Sequence, residues 1–186
     1  MCGIIAYIGD KQATPILVEG LRRLEYRGYD SAGIAVYEDG NIQTIKVAGK
    51  IKELARTVDR TTIAGSVGIA HTRWATHGAP TEKNAHPHLD TDETVAVVHN
   101  GIIENFYTLR DRLKAEGFVF RSDSDTEVLS HLIRHYFHGN LEDAVQKALL
   151  EVEGTYGIAV ISSLDPGKIV GARNGSPLVV GVGKGE

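Results

Sequence analysis

The sequence predicts an α+β protein in which stacked antiparallel sheets are covered by helices. Three observations carry that expectation. Short runs rich in β-branched residues fall in clusters, amphipathic helical patterns separate them, and a tight hairpin signal joins two neighbouring runs. The 186 residues are 42% hydrophobic and 24% charged, ordinary globular usage, and suit a single domain.

The elements follow in order. Gly3 to Ile8 is immediately apolar and reads as a strand beginning at residue 2. Thr14 can cap a helix with Pro15 in its first turn; Leu17, Leu21 and Leu24 mark its buried stripe, and Gly28 can supply the left-handed stop. Ser31 to Val36 and Ile42 to Val47 alternate as strands around Glu38-Asp39-Gly40-Asn41. Residues 50–58 read as a short helix, and Val67 to His71 and Thr94 to His99 as strands. Between these strands, residues 72–93 form a long polar loop rich in Gly, Pro and His, of the kind that often serves as a functional lid.

The second half is more helical. Asn105 caps a helix with Phe106, Leu109 and Leu113 on one side and Gly117 after its end. Ser124-Asp125-Thr126-Glu127 fits a capping box for a helix running to His138, and Asn140 caps another to Val152. Tyr156 to Ser162, Lys168 to Ala172 and Leu178 to Val182 then read as three strands, and residues 181–186 as a Gly-rich linker.

Composition narrows the function. A net charge of -4 argues against a nucleic-acid backbone as partner, since such binding needs clustered positive charge. The single cysteine excludes a disulfide within the chain. No run approaches the roughly 18 apolar residues of a membrane helix, and Ile4 to Ile8 is too short and lacks the basic flank of a secretory signal, so a cytoplasmic protein is expected.

Several residues could carry chemistry. Removal of Met1 would leave Cys2 holding both a thiol and a free α-amine, a nucleophile and a base in one residue; a buried or acylated cysteine fits the position as well. Asn100-Gly101, following a strand, can aim a side-chain amide and a backbone N–H at one oxyanion, or can simply form a hairpin turn. Arg73 can grip a carboxylate and Trp74 can close over a small ligand; the alternatives are a solvated arginine and a tryptophan anchored in the core. Asp125, placed in the first turn of a helix, is stabilised by the helix dipole and could also face a substrate ammonium. His131, His135 and His138 share one helix side with Glu127 and Arg134, opposite the apolar half, so they read as a solvent-facing side and not a metal site. Phosphate-binding glycine loops are missing.

In this order, Met1-Cys2-Gly3-Ile4, Tyr26-Arg27-Gly28-Tyr29-Asp30-Ser31-Ala32-Gly33, the Arg73-Trp74 loop, Asn84-Ala85-His86-Pro87-His88, His99-Asn100-Gly101-Ile102-Ile103-Glu104-Asn105 and Ser124-Asp125-Thr126-Glu127 resemble the class II glutamine amidotransferases. The resemblance covers essentially the whole chain, through Gly175-Ser176-Pro177-Leu178. Tyr26 and Tyr29 and the run His71 to His77 are similar to the branch that passes ammonia to fructose 6-phosphate. Two departures are visible: Ile5-Ala6 where Val-Gly is common, and Ala79 where the loop often has glutamate.

This resemblance implies the N-terminal-nucleophile hydrolase fold, two stacked antiparallel sheets between helical layers. It implies that Cys2 attacks the side-chain amide of L-glutamine with its own α-amine managing the proton, and that Asn100 and Gly101 stabilise the oxyanion. Ammonia then leaves, and water releases L-glutamate. Arg73, with Thr76 and His77 beside it, would hold the α-carboxylate, and Asp125 the α-ammonium. Trp74 would belong to the closing lid and Arg27 would support the site. Neither a metal nor another cofactor is expected. The implied partners are L-glutamine, the sugar-isomerase domains of a longer homo-oligomeric enzyme that makes glucosamine 6-phosphate, and neither nucleic acid nor membrane. With no residues for those domains, residues 1–186 are expected to be an excised glutaminase domain. Two rivals stand beside this reading: an inactive glutamine-binding regulatory module, and an amidase domain from another branch.

Overall fold

A computed structural model describes residues 2–27, 30–61, 63–74 and 79–186. In chain order the elements are β1 (Gly3–Ile8), α1 (Ala13–Leu24), β2 (Ser31–Glu38), β3 (Asn41–Ala48), α2 (Ile51–Val58), β4 (Val67–Arg73), β5 (His88–Leu89) and β6 (Val95–Ile103). They continue with α3 (Phe106–Ala115), α4 (Glu127–Tyr136), α5 (Leu141–Leu150), β7 (Gly154–Ser162) and β8 (Val170–Asn174). The strands form two antiparallel sheets, ordered β1-β4-β2-β3 and β5-β6-β7-β8.

The central strands are apolar on both sides, and alternation sends each side to a different core. In β6, Val95 and Val97 face α3, α4 and α5, while Ala96 and Val98 face the other sheet. In β7, Ile158 and Val160 likewise face the helices, and Ala159 and Ile161 the other sheet. Across the seam, Ala35, Val67 and Ile69 meet them, while Ala32, Ile34, Val36 and Ala70 pack outward with Leu17 and Leu21 of α1 and Leu54 of α2. Three apolar layers thus separate four layers of structure, α-β-β-α. The sandwich is the N-terminal-nucleophile hydrolase fold that the family resemblance implies.

Most expected elements form, and the β2–β3 hairpin turns where expected, with Asp39 at φ 48° and Gly40 at φ 87°. Asn140 caps α5 by accepting from the Asp143 N–H at 2.8 Å. Other expectations are corrected. Thr14 lies inside α1, with Gln12 at the cap position, and donates instead to the Ile63 carbonyl. Asn105 precedes α3 but uses its side chain to pin the far end of α5, donating to the Glu151 carbonyl and accepting from the Glu153 N–H. Gly28 lies outside the described residues.

The strand expected over Leu178 to Val182 does not form. After Gly175, at φ 81°, and Pro177 the chain leaves the sheet with no strand beside it, and a lone strand has no ladder to satisfy its backbone. The capping box is also absent: Thr126 stands at the cap of α4 without a side-chain cap bond. Glu127 instead accepts from the N–H groups of Arg121 and Ser122 and from the Ser122 hydroxyl. Nor does its helix side face solvent there. Glu127 is 3% exposed and His131 0%, because Phe118 and Phe120 lie against the His131 ring; only His135 and His138 face out. Likewise only part of 72–93 is an open loop, since Asn84, His86, His88 and Asp90 are buried. Among the described residues, no helix is long and apolar enough to cross a membrane.

Candidate active site

Strand alternation determines which side chains look into the seam between the sheets. Counting by twos from Ile69 brings His71 and Arg73 onto the inner face of β4, and from Val98 brings Asn100 onto the inner face of β6. Ile4 also packs on the seam core, so Cys2, two residues before it, stands on the same side.

Gly3 pairs with Thr72, setting Cys2 against the end of β4. The Trp74 backbone N–H donates to Cys2 Sγ at 3.2 Å, and the Trp74 carbonyl lies 3.7 Å from the sulfur. Cys2 is a free, half-buried thiol. Trp74 is 54% exposed, which removes the core-anchor alternative, and Arg73 is only 4% exposed, which removes the solvated-arginine one.

Asn100-Gly101 is not a turn. β6 continues through both residues to Ile103, with Asn100 opposite Gly157 and Gly101 opposite Tyr156. Gly101 has φ 143°, and a Cβ there would fall 2.0 Å from the Thr155 carbonyl oxygen, so the backbone there takes a conformation and a close approach that only glycine allows. Asn100 Oδ1 meets His71 Nε2 at 2.9 Å, a contact that spans the two sheets.

The histidines behind the seam are electrically quiet. Burial pushes the His71 pKa down to about 3, with the neighbouring His99 and Arg73 adding to it. Burial likewise takes His86 and His88 well below the usual histidine range. His86 Nδ1 lies 3.1 Å from His71 Nδ1 and 3.2 Å from its Nε2. Burial also lowers His99, against the pull of the nearby Asp125 carboxylate; its ring contacts the Thr126 hydroxyl at 2.9 Å and the Thr155 carbonyl at 3.3 Å.

Asp125 is 5% exposed and stands two residues before α4, not in its first turn as expected. Its Oδ2 accepts from the Ile103 N–H at 2.9 Å, which fixes it against the end of β6. The structure therefore gathers Cys2, Arg73 and Trp74 at the end of β4 and ties Asn100, Gly101 and Asp125 to the end of β6. Thr76, His77 and the Arg27 side chain lie outside the described residues. The sequence offers His71, His86 and Thr126 only inside longer motifs, with no role in the site; the period-two count from Ile69 is the signal that points to His71. Among the described residues, no three His, Cys, Asp or Glu side chains are disposed to hold a metal ion.

Residues 71–186 match a family model described as a glutamine amidotransferase domain. The glutamine–fructose-6-phosphate aminotransferase (isomerizing) of Pseudomonas aeruginosa is 57% identical over 189 residues, covering 100% of this chain and 31% of that protein. Its namesake from Clostridium acetobutylicum is 53% identical over 182 residues, covering 98% of this chain and 30% of the relative. The chain thus spans about 30% of the length of the curated relatives it matches. Among solved structures, the glutamine phosphoribosylpyrophosphate amidotransferase of B. subtilis superimposes with a TM-score of 0.74 at 29% identity, covering 88% of this chain and 35% of that one. An allosteric regulatory enzyme of purine biosynthesis gives 0.76 at 30% identity, covering 88% and 36%.

Proposed function

Since the chain belongs to the class II glutamine amidotransferase domain family, we propose that it hydrolyses L-glutamine to L-glutamate and ammonia through a thioester on Cys2. The observation that supports this is a free Cys2 thiol held at the end of β4 by Trp74, together with a strand-held Asn100 whose amide oxygen is engaged by His71 of the same β4. With Met1 removed, the Cys2 α-amine takes the thiol proton and the sulfur attacks the side-chain carbonyl carbon of glutamine. The oxyanion is met by the Asn100 amide and the Gly101 N–H. Collapse of the intermediate breaks the C–N bond, the α-ammonium returns its proton to the leaving nitrogen, and ammonia departs. Water then attacks the thioester, giving glutamate and the free thiol.

Arg73, with Thr76 and His77, binds the α-carboxylate, and Asp125 the α-ammonium, so both ends of a free amino acid are read. Trp74, exposed beside Cys2, closes over the substrate, and Arg27 supports the site. No cofactor enters these steps. In a longer polypeptide the ammonia would pass to sugar-isomerase domains that convert fructose 6-phosphate to glucosamine 6-phosphate, in a cytoplasmic homo-oligomer. Support for this comes from the relatives' names and from the roughly 30% of their length that the chain spans.

Intact mass combined with a glutaminase assay tests the reading. Loss of Met1 with glutamate release is the expected result. A processed chain that binds glutamine without turnover would favour the regulatory module, and turnover of another amide in preference to glutamine would favour a different branch.

A further inference from the structure

We propose that His71 is the positioning residue that decides which end of the Asn100 amide faces the reacting carbonyl, an inference that rests on the glutaminase reading above. The two ends of a carboxamide are nearly the same shape, and rotation by half a turn exchanges a donor for an acceptor. Turned one way, Asn100 offers N–H to an oxyanion; turned the other, it sets an oxygen against it. Something must hold the productive orientation.

His71 is placed to do so. It is fully buried on the inner face of β4, and its Nε2 reaches across the seam to Asn100 Oδ1 at 2.9 Å. A neutral imidazole has one N–H and one lone pair, so the ring must choose which nitrogen donates. His86 Nδ1 lies within 3.1 Å of His71 Nδ1 and 3.2 Å of Nε2. With Nε2 donating to Asn100 Oδ1, Nδ1 keeps the lone pair, and His86 Nδ1, almost equally far from both nitrogens, lies over the ring and not in line with either. The productive order is then His71 Nε2–H to Asn100 Oδ1. The Asn100 NH2 is left for the substrate. The reverse tautomer would bind that NH2 instead and turn the oxygen outward.

Three substitutions at His71 test this in the full chain with Met1 removed, each with kcat, KM and a melting curve. His71→Gln carries its amide nitrogen where Nε2 was and can still donate, whereas His71→Asn carries it where Nδ1 was and falls short. His71→Leu has no donor at all. We expect His71→Gln to keep kcat within about threefold, and the other two to lose about tenfold or more at nearly constant KM. In an Asn100→Ala background, where no amide remains to be turned, His71→Leu should lower kcat by less than about threefold. A kcat in His71→Leu equal to that of the unsubstituted chain would overturn the role. So would equal losses in His71→Gln and His71→Asn that follow the melting temperature, or a full multiplicative loss in the Asn100→Ala background. No glutamine hydrolysis by the unsubstituted, processed chain would instead overturn the glutaminase reading, and the positioning role with it.

Discussion

Trp74 donates its backbone N–H to the Cys2 sulfur across 3.2 Å, joining the end of β4 to the start of β1. Because the donor is main chain, the contact holds the Cys2 sulfur without depending on the indole, which stays exposed beside it. The sulfur therefore contributes little to the fold. Cys2→Ala should unfold within about 1 kcal/mol of the unsubstituted chain, the net worth of one hydrogen bond, while releasing no ammonia. Turnover near the original rate would remove Cys2 from the chemistry.

Asn100 lies inside a strand, so its replacement by alanine disturbs no turn. If its amide meets the oxyanion, Asn100→Ala should lower kcat by about a hundred- to a thousandfold, with KM changed far less. A folded variant, verified by its melting curve, that keeps more than about a tenth of kcat would refute an oxyanion role.

Asp125 tests substrate recognition. An analogue of glutamine with its α-amine blocked should be hydrolysed roughly ten- to a hundredfold more slowly, the cost of one charged hydrogen-bond partner. Asp125→Asn keeps an oxygen for the Ile103 N–H but loses the charge, so KM for glutamine should rise by about tenfold while the melting temperature moves little. Equal rates for the two substrates would take Asp125 out of the site.

Acid should destabilise the fold earlier than carboxylate protonation alone would. Burial holds His71 at about 3 and His86 and His88 well below their ordinary 6.5. Above 6.5 neither the folded nor the unfolded chain binds these protons. Below it the unfolded chain takes them up and the folded one does not, so stability falls by up to about 1.4 kcal/mol per pH unit for each histidine. A second loss follows between 4.5 and about 2, the range over which Glu127 titrates only when unfolded; burial opposes its charge, but His131 and the Ser122 and Arg121 hydrogen bonds outweigh that. Denaturant midpoints measured from about pH 7.5 to 5 should decline steadily below about 6.5. A flat profile over that range would show that the folded protein binds these protons too.

Much of the scaffold is legible in local pattern. β1 ends as read and begins one residue later, at Gly3, and the β2–β3 hairpin, α2 and α5 follow from alternation, from Asp39-Gly40 and from Asn140. Two of the misreadings share one cause: a pattern shows which side of an element is apolar, not what else will cover it. The polar side of α4 looks solvated until Phe118 and Phe120 return over His131, and Leu178 to Val182 look like a strand until a partner is sought. Cys2, Arg73, Asn100 and Asp125 were visible by residue type and position. The link between them was not, because His71 and Asn100 stand 29 residues apart and meet only once the sheets are stacked.

The seam core is built at several facing positions from the smallest apolar side chain: Ala35 on one sheet, Ala96 and Ala159 on the other. These methyl groups help set the spacing of two plates whose far ends carry the Cys2 thiol on one and the Asn100 amide on the other. On the glutaminase reading proposed above, the distance between nucleophile and oxyanion donor is therefore gauged several residues away, by shims at a remove from the substrate. A larger side chain at any of these three would overpack the seam at a cost of about 1–3 kcal/mol and, on that reading, would also move the two working ends apart.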